Sequence, residues 1–249
     1  MSLLNTPGAV GTWVKLPTIE SVQILAHAGY DFVVIDQEHA PIDIRTAYQL
    51  VNTATAEGLL ALVRVDELRP ASIQRILDAG AGGVLIPHID TPEQAELAAR
   101  SVRFPPFGIR GAGGTSRAGR WGSRPSADYL ASGNNEALCI PQLESQLAVE
   151  NVEKIAAIQG VDALFVGVAD LSMDMDTTPT DPEVVKRYLH VLNVAHQAGK
   201  PCGFASGTAA GARAALEQGF DFVMASSDTA MLLAAASDAL AAARATSQS

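Results

Sequence analysis

The sequence is short of cysteine, lysine, aromatic residues and positive charge, and each shortage excludes something. Two cysteines, Cys139 and Cys202, both inside apolar runs, make no disulfide framework and read as reduced structural thiols. A formal net charge of −10 and a pI near 4.9 exclude a general nucleic-acid or anionic-membrane binder. No apolar run approaches the roughly 18 residues of a membrane span, and no basic-then-apolar leader precedes the first strand. A soluble, cytoplasmic protein with small-molecule partners is the expectation. The only lysines are Lys15, Lys154, Lys186 and Lys200. The second and third sit in helical patterns and Lys200 precedes a strand, so only Lys15 could form an imine with a carbonyl substrate. The absence of a GxSxG elbow argues against a serine hydrolase, and the absence of GxGxxG after the first strand against a dinucleotide-binding open sheet.

What is present is alternation. Apolar runs suited to strands buried on both faces occur at Val10–Leu16, Phe32–Asp36, Leu60–Val65, Gly83–Pro87, Leu138–Glu144, Ala163–Val168, Pro201–Ala205 and Asp221–Ala225. Amphipathic patterns follow them at Thr18–Ala28, Asp43–Glu57, Pro70–Ala79, Pro92–Val102, Gln146–Ile158, Pro182–Ala198, Ala209–Gln218 and Thr229–Ala243. Eight strands and eight helices in strict alternation predict a single (β/α)8 TIM barrel over residues 1–249. The alanine-rich last helix either closes the barrel or reaches a neighbouring subunit. One insertion, Phe104–Asn135, breaks the rhythm. It is rich in Gly, Pro and Ser and carries Arg110, Arg117, Arg120 and Arg124. A loop of this length is a solvated or subunit-contact segment, or a lid whose arginines meet an anionic substrate.

In a barrel the chemistry lies beyond the carboxyl ends of the strands. The densest cluster there is YDFVVIDQEHAP, where a buried strand runs into Asp36, Glu38 and His39. Ionisable groups are costly to place at such a position without a use. The fourth strand ends in His88, a weaker candidate at the pocket rim, and the fifth in Gln142 and Glu144. Glu144 and Asp170 crown neighbouring strands, which lie about 4.8 Å apart. Two carboxylates that close repel unless a cation lies between them, so the pair suits a hard divalent metal, with an N-cap role for Asp170 as the alternative. Arg64 ends an apolar strand, LALVRV, and needs either a structural carboxylate or a substrate oxygen. His39 is either a packed, hydrogen-bonded residue or a general base.

In order and spacing, GTWVKL, AGYDFVVIDQEHAP, LVRV, ILDAGAGGVLIP, RFPPFGIRG, IPQLES and VGVADLS resemble the class II, metal-dependent pyruvate aldolases, typified by 4-hydroxy-2-oxoheptanedioate and 2-dehydro-3-deoxyglucarate aldolases. The resemblance spans roughly Gly11 to Ala235. It implies cleavage of a 4-hydroxy-2-oxo acid to pyruvate and an aldehyde, with Mg²⁺, Mn²⁺ or Co²⁺ on Glu144 and Asp170. It further implies Arg64 at the pyruvate carbonyl, His39 paired with Asp78 as acid/base, and Asp36 and Glu38 in support. Gln142, Gly167, Ala169 and Asp170 would contact pyruvate. Family members are typically trimer-based hexamers whose pockets a neighbouring chain completes. Two departures, Val168 in GVADLS where many relatives have proline, and the loop MDMDTTPTDPE, leave the acceptor aldehyde open. An oxaloacetate decarboxylase or macrophomate-synthase-like enzyme on the same scaffold is the alternative, with a non-catalytic metabolite-binding barrel behind it.

Overall fold

The computed structural model describes residues 6–245. Eight parallel strands close into a barrel in sequence order. They are β1 (Ala9–Val14), β2 (Phe32–Asp36), β3 (Leu60–Arg64), β4 (Gly83–Ile86), β5 (Leu138–Leu143), β6 (Leu164–Val166), β7 (Cys202–Ser206) and β8 (Phe222–Ser227). β8 pairs back onto β1, and the register sets Asp36 of β2 opposite Arg64 of β3. That single pairing decides the centre of the site.

The strand residues divide between two cores because successive side chains face opposite ways. Phe32, Val34, Leu62, Leu85, Ile140, Phe165 and Phe222 point into the barrel. There the rings of Phe32 and Phe165 each meet Phe222, at centroid distances of 6.0 and 6.1 Å. A Cβ at Gly11 would overlap the Phe32 ring, so only glycine fits opposite it. Val33, Ile35, Val63, Val84 and Val166 face outward into the layer of helices.

The helices begin with α1 (Ile19–His27), α2 (Ile44–Ala56), α3 (Pro70–Asp78) and α4 (Pro92–Val102). Their starts follow capping chemistry: Thr18, Asp43 and Thr91 accept the backbone N–H three residues on. Eleven helices occur among the described residues rather than eight, for local reasons. The insertion folds its own α5 (Ser126–Asn135). The predicted helix Gln146–Ile158 splits at Asn151 into α6 (Gln146–Glu150) and α7 (Val152–Ala157). The Asn151 amide donates to the carbonyls of Leu147 and Asp90, competing with the helical ladder. β6 stops at Val166 because Gly167 already caps α8 (Val168–Asp174).

Beyond α9 (Pro182–Gln197) and α10 (Ala209–Glu217), the last helix α11 (Asp228–Arg244) is held only at its start. Asp228 is buried and accepts the backbone N–H groups of Lys15 and Leu16, both at 3.0 Å, and the Ser21 hydroxyl at 2.7 Å. Farther along, Leu232, Leu233 and Leu240 are exposed. An apolar groove of about 500 Å³, lined by Val10, Tyr30, Ala212, Leu216 and Val223, runs outside β8 and β1. In a closed barrel the final helix would cover that face.

Candidate active site

The carboxyl ends of the strands surround a cavity of about 660 Å³, whose lining includes Trp13, Lys15, His39, Arg64, Gln142 and Asp170. Its floor is an ion network set by the β2–β3 register. Asp36, fully buried, accepts from Arg64 Nε at 3.0 Å and Nη2 at 2.8 Å. Lys15 Nζ stands 2.9 Å from the same carboxylate, and the backbone N–H groups of Glu38 and His39 donate to it at 3.1 and 3.2 Å. Burial works against the Asp36 charge, but the hydrogen bonds and charges of Arg64 and Lys15 outweigh it and hold its pKa at about 2. Arg64 also meets Glu38 at 2.8 Å and lies over the Trp13 ring, 4.1 Å from its centroid. This guanidinium is therefore fixed on three sides, with its remaining edge toward the cavity.

The opposite wall is built by β4, β5 and the start of α8. Glu144 is buried; one carboxylate oxygen accepts from the backbone N–H of His88 at 2.8 Å, and the other from the Gln142 amide. A Cβ at Gly167 would stand 2.8 Å from the Glu144 carboxylate, so glycine allows β5 and β6 to crowd here. Burial pushes the Glu144 pKa up, His88 and Gln142 oppose that rise, and the charge of Asp170 adds to it. Asp170, half-buried in the first turn of α8, is thus close enough for the two carboxylates to repel.

The donor set fits a divalent cation. Carboxylate oxygens from Glu38 and Glu144 and an imidazole nitrogen from His88 all lie within 4.8 Å of one another. Gln142 Oε1 is buried and without a hydrogen-bond partner, an oxygen available to a cation or its hydration shell.

Asp36, Glu38, His39, Arg64, Gln142, Glu144, Gly167, Ala169 and Asp170 are thus gathered at one end of the barrel. Asp78 is not among them. It ends α3, where helices return to the amino ends of the strands, and Arg110 Nη2 and the Tyr129 hydroxyl hold it at 2.9 and 3.4 Å. Within one chain His39 and Asp78 do not meet. The insertion also lies at that end: Arg110, Arg117, Arg120 and Arg124 surround a separate cavity of about 530 Å³ beside Gly80, so it is no lid over this chain's own pocket. Two contributors escaped the sequence reading, although GTWVKL carried them. Trp13 stacks on Arg64, and Lys15, weighed only as an imine former, is engaged as an ammonium with Asp36. His88 is exposed, as a rim residue would be, yet its ring nitrogens lie 3.0 Å from Glu38 and 3.0 Å from Glu144.

Known proteins are similar to this chain over nearly its whole length. The chain is 40% identical over 229 residues to a hydroxypyruvate/pyruvate aldolase of Chromohalobacter salexigens, covering 91% of this chain and 89% of that one. It is 40% identical over 221 residues to a 5-keto-4-deoxy-D-glucarate aldolase of Escherichia coli, covering 88% and 86%. A crystal structure of a HpcH/HpaI aldolase/citrate lyase family protein from Burkholderia cenocepacia superposes with a TM-score of 0.92 at 38% identity, covering 98% and 97%. Residues 9–235 match the HpcH/HpaI aldolase/citrate lyase family, and with a barrel and pocket of this kind the chain belongs to it.

Proposed function

We propose that the chain is a class II pyruvate aldolase, a carbon–carbon lyase that reversibly cleaves a 4-hydroxy-2-oxo acid to pyruvate and an aldehyde. The observation that carries this reading is the Arg64 guanidinium, locked by Asp36, Glu38 and Trp13 and facing a cavity walled by Gln142 and Asp170. Glu144 and Asp170 would hold Mg²⁺, Mn²⁺ or Co²⁺, which supplies Lewis acidity toward the 2-oxo acid when bound. Arg64 donates to the keto oxygen as it gains charge in the enolate of pyruvate, without reorganising. The first backbone N–H groups of α8, around Ala169 and Asp170, receive the pyruvate carboxylate, since a helix start leaves such donors free. His39, half exposed at the cavity edge, takes the proton of the C4 hydroxyl in cleavage and returns it in condensation.

The surface outside the barrel is read in the same way. The exposed leucines of α11 and the uncovered groove outside β8 and β1 are complementary surfaces of one chain. Exchange of α11 between two copies would bury both and make a homo-oligomer, for which the family resemblance suggests a trimer or hexamer. An Asp78 partner for His39 then comes from a second copy. Cytoplasmic location is consistent with the two buried free thiols, of which burial first, and then Asp162, pushes Cys139 up to about 12; no helix among the described residues is long and apolar enough to cross a membrane.

The test is pyruvate release from a series of 4-hydroxy-2-oxo acids before and after EDTA. Release that stops with EDTA and returns with Mn²⁺, Co²⁺ or Mg²⁺ supports the reading. Release that ignores EDTA and is blocked by borohydride moves the chemistry to Lys15. Oxaloacetate turnover far above all retro-aldol turnover assigns the scaffold to decarboxylation instead.

A further inference from the structure

His88 has no part in the reaction as described, yet the structure holds it between two carboxylates. Its backbone lies at φ 55°, in the left-handed region that side-chain-bearing residues seldom adopt. In that conformation its backbone N–H and its Nδ1 both face the same Glu144 oxygen, at 2.8 and 3.0 Å. Its Nε2 faces Glu38 at 3.0 Å. Glu144 is buried and the Glu38 side chain nearly so, while the imidazole is largely exposed, so the ring covers the two carboxylates from the solvent side.

Two donors bound side by side to one ion, each about 2.1 Å from it, sit about 3 Å apart. The Nδ1–Glu144 separation of 3.0 Å meets that requirement. The other ring nitrogen is then left for a hydrogen bond, and a metal-bound histidine commonly gives that N–H to a carboxylate. Glu38 is placed to accept it, and Arg64, 2.8 Å away, keeps Glu38 in position. Gln142 adds a second observation: its buried Oε1 has no partner, although its amide nitrogen donates to Glu144.

We infer that His88 is a nitrogen ligand to the divalent ion held by Glu144, with Glu38 orienting its ring. The inference rests on the metal reading above and narrows it. Oxygen-only sets suit Mg²⁺, whereas an imidazole favours borderline first-row transition ions. The site therefore takes Co²⁺ in preference to Mg²⁺, and His88 sets that preference.

The experiment uses the full-length protein loaded with Mn²⁺. Binding is followed by loss of the free-ion EPR signal, and ligation by pulsed EPR, which detects nitrogen-14 coupled to the ion. Wild type is expected to show imidazole nitrogen coupling. His88→Asn, whose side chain tolerates a left-handed backbone, keeps bound Mn²⁺ but loses the coupling. Its Co²⁺ affinity falls by about tenfold or more, while Mg²⁺ affinity changes by less than about twofold. His39→Asn retains the coupling, which separates the two histidines. Bound Mn²⁺ with no nitrogen coupling in wild type, or coupling that survives His88→Asn, overturns the role of His88 and leaves the metal reading standing. Failure of wild type to bind any divalent ion, or binding unaffected by Glu144→Gln, overturns the metal reading and this inference with it.

Discussion

Asp36 shows how one buried carboxylate organises a site. It neutralises Arg64 and Lys15, and it receives the backbone N–H groups that turn the chain after β2. Asp36→Asn leaves Lys15 without its carboxylate and Arg64 with Glu38 alone, and breaking a buried pair costs about 3–5 kcal/mol, so denaturant midpoints are expected to fall accordingly. Because its pKa is depressed to about 2, the stabilisation it contributes is complete above the ordinary carboxylate range near pH 4 and is lost as pH falls through about 2. Arg64→Lys keeps a charge but loses the two-pronged grip on Asp36 and the stack on Trp13. A drop of about 10²–10³-fold in kcat/KM is expected, with little change in the unfolding midpoint beyond that of a weakened pair. Glu144 titrates the other way. Its raised pKa means that ionising it costs the metal-free fold stability as pH rises, and that protons compete with a cation at higher pH than at an ordinary glutamate. Metal affinity measured by calorimetry is therefore expected to weaken as pH falls, beginning at higher pH than an ordinary glutamate would set, and the residual binding of Glu144→Gln is expected to depend on pH less steeply. Most of these residues were legible in the sequence because charge directly after an apolar run is conspicuous. Lys15 and His88 were less so: an ion pair across strands needs the register, and a left-handed histidine has no sequence signature.

At the level of elements, the strand–helix alternation was readable because each strand is buried on both faces and each helix carries a cap. The misses have local causes. The Asn151 side chain breaks a helix whose apolar pattern runs through it, and α8 begins where the apolar run still suggests strand. Of the roles open to the insertion, a lid over this chain's own pocket is the one its position excludes. A segment that leaves a helix and enters a strand lies at the amino end of a barrel, which chain order alone implies. Its arginines surround Asp78 and Gly80 instead. The helix α11 carries an expectation of its own. Its leucines Leu232, Leu233 and Leu240 are half or more exposed, so Leu233→Glu is expected to shift light-scattering mass from an oligomer toward the monomer while circular dichroism keeps the barrel signal. A wild-type chain that is monomeric at all concentrations contradicts the exchange of α11.

For the whole molecule, two ends of one barrel have been given different work. The carboxyl end gathers the ion network and the carboxylates of β5 and α8; the amino end gathers Asp78 and the arginines of the insertion. A single sequence shows which residues are unusual, but not that two of them lie at opposite ends of the barrel. This is why the His39–Asp78 pairing, which the resemblance implies, is absent within one chain. The measurement that bears on the proposed chemistry independently of any aldehyde is exchange of the pyruvate methyl protons for deuterium, followed by NMR in D₂O. Formation of the pyruvate enolate predicts exchange that requires a divalent ion, stops with EDTA and falls sharply in Glu144→Gln and Arg64→Lys. No exchange by the metal-loaded enzyme, or exchange that persists unchanged in EDTA, would contradict the account.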